Sequence, residues 1–138
     1  MALRWVARVL ILDSEAVSAL AEKRKGMAER LAAAQQADHR VLIPAVVLAE
    51  VATGAPTDAA IWHVLGKIPS LDLPESVAMR AGALRTRAEK VRRKKRDLTV
   101  DAIVAATAVE LAPSVVITAD KSDLEILVDG FDVKIAAV

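Results

Sequence analysis

Short apolar, β-branched runs recur along this chain, and segments of helical periodicity separate each from the next. The runs cover 6–12, 41–43, 114–118 and 133–138, with a weaker one over 68–73 hemmed in by Pro69 and Pro74. They are the right length for strands and too short for buried helices. Between them, Ser14 and Glu15 open a helix whose Ala16, Val17 and Leu20 share a face. Gly26 ends it, and a second helix spans about 27–37. Pro44 suits the first turn of a helix running to about Ala52. Pro56-Thr57-Asp58 starts another that holds Trp62 and Leu65, and a longer one runs from Pro74-Glu75 to about Val91. Thr99 is expected to cap a helix carrying Val100, Ile103, Val104, Thr107 and Leu111 on one face. A last short helix is expected over 120–128. Strands separated in this way by helices imply an α/β fold: a parallel sheet with helices on both faces, joined by right-handed crossovers. The order of the strands is not encoded in the pattern.

Composition supports this. The chain has 138 residues, enough for one domain (1–138) with a real core. Trp5, Trp62 and Phe131 are the only aromatics although 54% of residues are hydrophobic. The core must therefore be built from Ala, Val, Leu and Ile, which suits parallel strands under close-packed helices. Trp62 is expected in that core or at a dimer interface. The absence of cysteine excludes disulfides and thiolate metal sites. No apolar run is long enough to span a bilayer, and Arg8 interrupts what would be a signal peptide's apolar stretch. The expectation is a cytoplasmic protein.

Four carboxylates fall where such a sheet binds ligands, beyond the carboxyl ends of its strands. Asp13 follows the first strand directly, and Asp120 lies two residues past the run 115–117. Asp101 sits in a helix's first turn, where exposed N–H groups favour an anion. Glu50 lies about two turns into the helix after the second strand, within an apolar stretch where an unpaired charge would be costly. Taken singly, each has a plainer reading. Asp13 could be only a helix cap, Asp101 a dipole-stabilising residue and Asp120 the start of a turn. Taken together, acids without His or Cys suit a hard divalent cation such as Mg²⁺ or Mn²⁺. Such an ion can activate water for attack on a phosphodiester.

Four segments carry a more specific signal. They are Val-Leu-Ile-Leu-Asp-Ser-Glu-Ala-Val-Ser-Ala-Leu (9–20), Ile-Pro-Ala-Val-Val-Leu-Ala-Glu-Val (43–51), Asp-Ala-Ile-Val-Ala-Ala-Thr-Ala (101–108) and Val-Val-Ile-Thr-Ala-Asp-Lys-Ser-Asp-Leu (115–124). In this order and at these separations the chain resembles PIN domains of the VapC type, the toxin halves of bacterial type II toxin–antitoxin pairs. The resemblance implies a three-layer α/β/α sandwich with a central parallel sheet. It implies Mg²⁺- or Mn²⁺-dependent endonucleolytic cleavage of RNA, a cognate antitoxin as partner, and a homodimer. Asp13, Glu50, Asp101 and Asp120 fall on the family's acidic positions, as catalytic and metal-holding residues. Thr118 falls on the hydroxyl position before the last acid, where it would orient a carboxylate. Asp123 lies close enough to replace or assist Asp120, and Asp97 is a further auxiliary candidate, expected to lie outside the helix that carries Asp101.

The net charge of +1 conceals an asymmetry: residues 80–96 carry +8, leaving −7 for the rest. An acidic pocket repels a polyanionic substrate, so compensating attraction is needed. Arg92, Arg93, Lys94, Lys95 and Arg96 are the expected RNA contacts, acting on phosphates rather than on base sequence. The plainer reading is a solvated basic loop. Two other function classes fit less well. A phosphoacceptor or aspartate-based phosphatase needs a lysine at a later strand end. Lys121 directly follows Asp120, and no Asp-x-Asp pattern follows the first strand. A non-catalytic PIN-like module that binds RNA or protein would have no need to keep all four acids.

Overall fold

The sheet holds five strands, all parallel, in the order β3-β2-β1-β4-β5. The computed structural model describes residues 8–92 and 96–138. In chain order the elements are β1 (Val9–Leu12), α1 (Ser14–Ala21), α2 (Met27–Gln36), β2 (Arg40–Pro44) and α3 (Ala45–Val51). A single 3₁₀ turn (Pro56–Asp58) leads into α4 (Ala59–Leu65), followed by β3 (Ser70–Leu71) and α5 (Glu75–Glu89). The chain closes with α6 (Thr99–Glu110), β4 (Ser114–Thr118), α7 (Lys121–Leu127) and β5 (Val133–Ala137).

The run over 68–73 yields only a two-residue strand. Pro69 has no N–H for the ladder and contributes its carbonyl, which accepts from the Ile43 N–H at 3.0 Å. Pro74 then stands at the start of α5. The other runs form strands, the first of them over Val9–Leu12 with residues 6 and 7 outside the described residues, because continuous β-branched and aliphatic sequence suits a sheet covered on both faces. Ile11, Leu12, Val116 and Ile117 are at most 2% exposed.

From β1 the chain steps outward to β2 and β3, then returns across the sheet to β4 and β5. With right-handed crossovers that reversal places α1–α4 on one face and α5–α7 on the other. The packing agrees: α1 lies against α2, α3 and α4, while α5, α6 and α7 pack on one another. The result is the three-layer α/β/α sandwich. Helix α6 is covered almost all round, and Ala102, Ala105, Ala106 and Ala108 are at most 1% exposed. Small side chains there let α5 approach closely and compensate for the shortage of aromatics.

The direction of winding reverses between β1 and β4, which are hydrogen-bonded neighbours with Leu12 opposite Ile117. Parallel sheets open a ligand crevice at such a reversal, outside the carboxyl ends of the two strands. Trp62 is not part of the core: it is 72% exposed on α4. Among the described residues no helix is long and apolar enough to cross a membrane.

Candidate active site

Asp13 leaves β1 at that crevice and is only 3% exposed. Its backbone N–H donates to the Ile117 carbonyl at 3.0 Å, continuing the ladder one residue past the strand. Its side chain caps α1, accepting from the Ser14 N–H at 2.8 Å through Oδ1. The other oxygen accepts from the Thr118 hydroxyl at 2.7 Å. Thr118, fully buried at the end of β4, also accepts from the Asp120 N–H at 3.0 Å. One hydroxyl thus ties the acid after β1 to the backbone of the acid after β4. Both carboxylates therefore leave the sheet in fixed register.

Asp101 enters from the opposite helical layer, in the first turn of α6, and is 6% exposed. Its oxygen accepts from Arg96 Nη2 at 2.7 Å, and the same nitrogen donates to Asp120 at 2.8 Å. Burial pushes the Asp101 carboxyl up to about 6, and the charge of Asp13 adds to this, while Arg96 opposes it. Glu50 is on the exposed side of the last turn of α3, so its charge is not buried among the apolar residues beside it in sequence. It still belongs to the same electrostatic cluster. Its carboxyl is raised by partial burial and then by Asp13 and Asp120, against the Ser14 hydroxyl and Arg96.

The auxiliary candidates have partners of their own, and Asp123 also lies 4.0 Å from Arg96 Nη2. Asp123 is buried in α7 and grips Arg92 through both oxygens, to Nε and Nη2, each at 2.9 Å. Asp97 accepts from the Thr99 hydroxyl at 2.7 Å and the Thr99 N–H at 3.1 Å, which holds it below the usual carboxylate range. It lies outside α6, as expected; Thr99 is not the cap but the first residue of the helix, Leu98 stands at the cap position, and Asp97 accepts the first helical N–H from one residue further back.

Among the described residues of the basic segment, most arginines are paired rather than free. The Arg92 side chain is 4% exposed and faces inward onto Asp123, so it does not offer a phosphate contact in this arrangement. Arg85 donates to the Thr99 hydroxyl at 2.8 Å, and Arg87 donates to the Leu127 and Asp129 carbonyls. Arg80 faces Glu110 at 3.9 Å. These arginines stitch α5 to α6 and α7, a role that counting charges along a sequence does not reveal. Arg93, Lys94 and Lys95 lie outside the described residues. Sequence reasoning named Arg96 as an RNA contact but missed its pairing with Asp101 and Asp120, although its position five residues before Asp101 was a usable signal.

Asp101 and Asp120 therefore share one cationic nitrogen, while Asp13, tied through Thr118 to the backbone of Asp120, acts on Asp101 by its charge. An all-oxygen donor set that already draws in a cation fits a hard divalent ion in chemical type. As the side chains stand, no three acids or histidines among the described residues are arranged to clasp one ion.

A family model described as PIN domain matches residues 10–126. The chain belongs to the PIN domain family. Among solved structures, this PIN domain is similar to a chain of VapBC2 from Rickettsia felis bound to a promoter DNA fragment. The TM-score is 0.75 at 14% identity, covering 94% of this chain and 98% of that one. It is also similar to DNA-bound VapBC from Salmonella typhimurium, with TM-score 0.71 at 18% identity and coverage of 94% and 98%. A third similar structure is FitAcB from Neisseria gonorrhoeae, with TM-score 0.59 at 21% identity and coverage of 92% and 96%. At such identities the likeness establishes a shared fold. A comparison with curated protein sequences finds no match.

The raised carboxyl of Asp101 makes a prediction for the metal-free PIN domain. Its folded value of about 6 lies above the unfolded one, so between the two the folded state holds a proton that the unfolded state has lost. That contribution is complete below about pH 4 and is lost as pH rises through about 6, with an upper bound of ~3 kcal/mol. In EDTA, the stability of Asp101→Asn relative to wild type should therefore grow between pH 4.5 and 7. Urea midpoints at each pH measure it; a constant difference would contradict the assignment.

Proposed function

We propose that this PIN domain is a divalent-metal-dependent endoribonuclease acting in the cytoplasm as the toxin of a type II toxin–antitoxin pair. The observation that carries the reading is the meeting of Asp13, Asp101 and Asp120 at the sheet's reversal point, with Arg96 bridging two of them. Fold-level likeness to chains of VapBC and FitAB complexes supports the toxin role and an antitoxin partner. A homodimer is the assembly expected from the family resemblance.

Mg²⁺ or Mn²⁺ would be held by Asp13, Asp101 and Asp120, with Glu50 at the rim. When bound, such an ion supplies Lewis-acid activation of water and neutralises charge developing on the departing ester oxygen. The chain's own contribution is positional. Thr118 fixes Asp13, the first turn of α6 presents Asp101, and the N-terminus of α7 presents Asp120. Glu50, exposed and raised in proton affinity, is the candidate acceptor of the proton released by the attacking water. In that step the water oxygen bonds to phosphorus, an ester P–O bond breaks, and the departing oxygen takes a proton from solvent. Arg93, Lys94, Lys95 and Arg96, from the basic segment that leads into α6, would hold RNA by its phosphates, making binding salt-dependent.

The chemistry of the cut ends tests this reading. Incubated with single-stranded RNA and Mn²⁺ in ¹⁸O-labelled water, the protein should cut internally and leave linear phosphate monoesters carrying solvent oxygen. Products ending in 2′,3′-cyclic phosphate would show attack by the ribose hydroxyl and overturn the water-based mechanism.

A further inference from the structure

Arg96 has an arrangement that an ordinary surface arginine lacks. Its Nη2 donates to Asp101 on α6 and to Asp120 before α7, at 2.7 and 2.8 Å, and lies 4.0 Å from Asp123. One nitrogen carries two protons, so a single atom serves two carboxylates from different elements. The backbone beneath it is fixed. The Arg96 carbonyl accepts from Arg92 Nη1 at 2.7 Å, and Arg92 is itself gripped by Asp123. Two residues on, Leu98 is 1% exposed and anchors the segment in the core. The side chain, by contrast, is 52% exposed and has open solvent beside it. The chain is pinned at this point while its charged end remains releasable.

We infer that Arg96 is the pocket's resident cation, neutralising Asp101 and Asp120 when no ion is bound and competing with a divalent ion for them. The inference rests on the metal-dependent reading of the site. An oxygen binds Mg²⁺ at about 2.0–2.1 Å, well inside the N–H···O distances seen here. Two carboxylates held apart by a guanidinium nitrogen must close in to share such an ion. A guanidinium and a divalent ion within a few ångströms also repel each other, so the arrival of one expels the other. This accounts for acids that converge without being arranged to clasp an ion. Asp123 then acts through Arg92 as a positioning residue: it holds the backbone from which Arg96 reaches the pocket. Once released, Arg96 stays tethered at the rim.

The test is Mn²⁺ titration of EDTA-stripped protein by calorimetry at low salt. Arg96→Gln should tighten Mn²⁺ binding roughly tenfold, the scale of losing two half-exposed charged contacts. Lys121→Gln removes a charge next to Asp120 without touching these contacts, and should stay within about twofold of wild type. Wild-type affinity in Arg96→Gln would overturn the inference, as would equal tightening by both variants, which would mark a diffuse charge effect. If neither wild type nor Arg96→Gln shows Mn²⁺ binding that Asp101→Asn removes, the metal reading itself fails, and the inference with it. Wild-type protein offers an independent readout. The Arg96 Nε–H NMR signal should shift or vanish on saturation with Mg²⁺, and a signal unchanged at saturation would overturn the proposal.

Discussion

Asp13→Asn and Asp101→Asn should each reduce RNA cleavage by about a thousandfold or more while leaving the fold in place. On the proposed mechanism either change removes one anionic ligand from a site whose cation would stabilise several kcal/mol of developing charge, and roughly 4 kcal/mol corresponds to a factor of about a thousand. The two positions test the proposal from different sides. Asn is as good as Asp at a helix N-cap, so Asp13→Asn can keep the contact from the Ser14 N–H that starts α1. Asp101→Asn relieves repulsion from Asp13 in a buried place, and Arg96 keeps Asp120 as a partner. Both variants should therefore show wild-type far-UV circular dichroism and cooperative melting. The decisive measurement is single-turnover cleavage of a defined RNA at saturating Mn²⁺, with folding checked on the same preparation. Wild-type rates in either folded variant would remove the carboxylate centre from the mechanism and return the chain to a binding role.

How far this site could be read from the sequence depended on which physics placed each residue. Asp13 and Asp101 were legible because local rules put them there: one follows a strand directly, the other opens a helix. The same holds for most strands, since an aliphatic run such as Val115-Val116-Ile117 has few other ways to be buried. What escaped was set by pairing between distant segments. Adjacency of β1 and β4 brings Asp13 to Thr118 across 105 residues, and no local pattern encodes that strand order. Glu50 illustrates the converse error. Its apolar neighbours in sequence suggested burial, yet a helix turns every fourth residue to the same side, and Glu50 faces out. The basic segment was only partly legible for a third reason. Its charges were countable, but the partners of Arg85, Arg87, Arg92 and Arg96 lie on α6 and α7 and at the β4–α7 junction, and pairing turns these four into ties between elements. Arg96 is where these strands of reasoning meet, because the charge expected to face RNA lies instead over the acids.

Thr118→Val should lower activity by about 10- to 100-fold without touching any carboxylate, the scale found when a residue orienting a metal ligand is lost. Valine matches threonine in shape, so the end of β4 can keep its packing. The change deletes the hydroxyl that donates to Asp13 Oδ2 and accepts from the Asp120 N–H. Asp13 then keeps only the Ser14 N–H among its side-chain hydrogen bonds on these elements, and its buried carboxylate is free to rotate away. Leaving such polar groups without a partner also costs stability, on the order of 1–3 kcal/mol. A loss of activity could therefore be mistaken for a loss of folded protein. Thr118→Ser separates the two, because it keeps the hydroxyl and gives up a buried methyl, at a cost of about 1 kcal/mol. Both variants should melt below wild type. Only the valine variant should show weakened Mn²⁺ affinity and slow single-turnover cleavage, with serine recovering most of both. Equal activity in the two variants at matched folded concentration would mean that Thr118 fills space and that Asp13 is oriented by the β1–α1 turn alone.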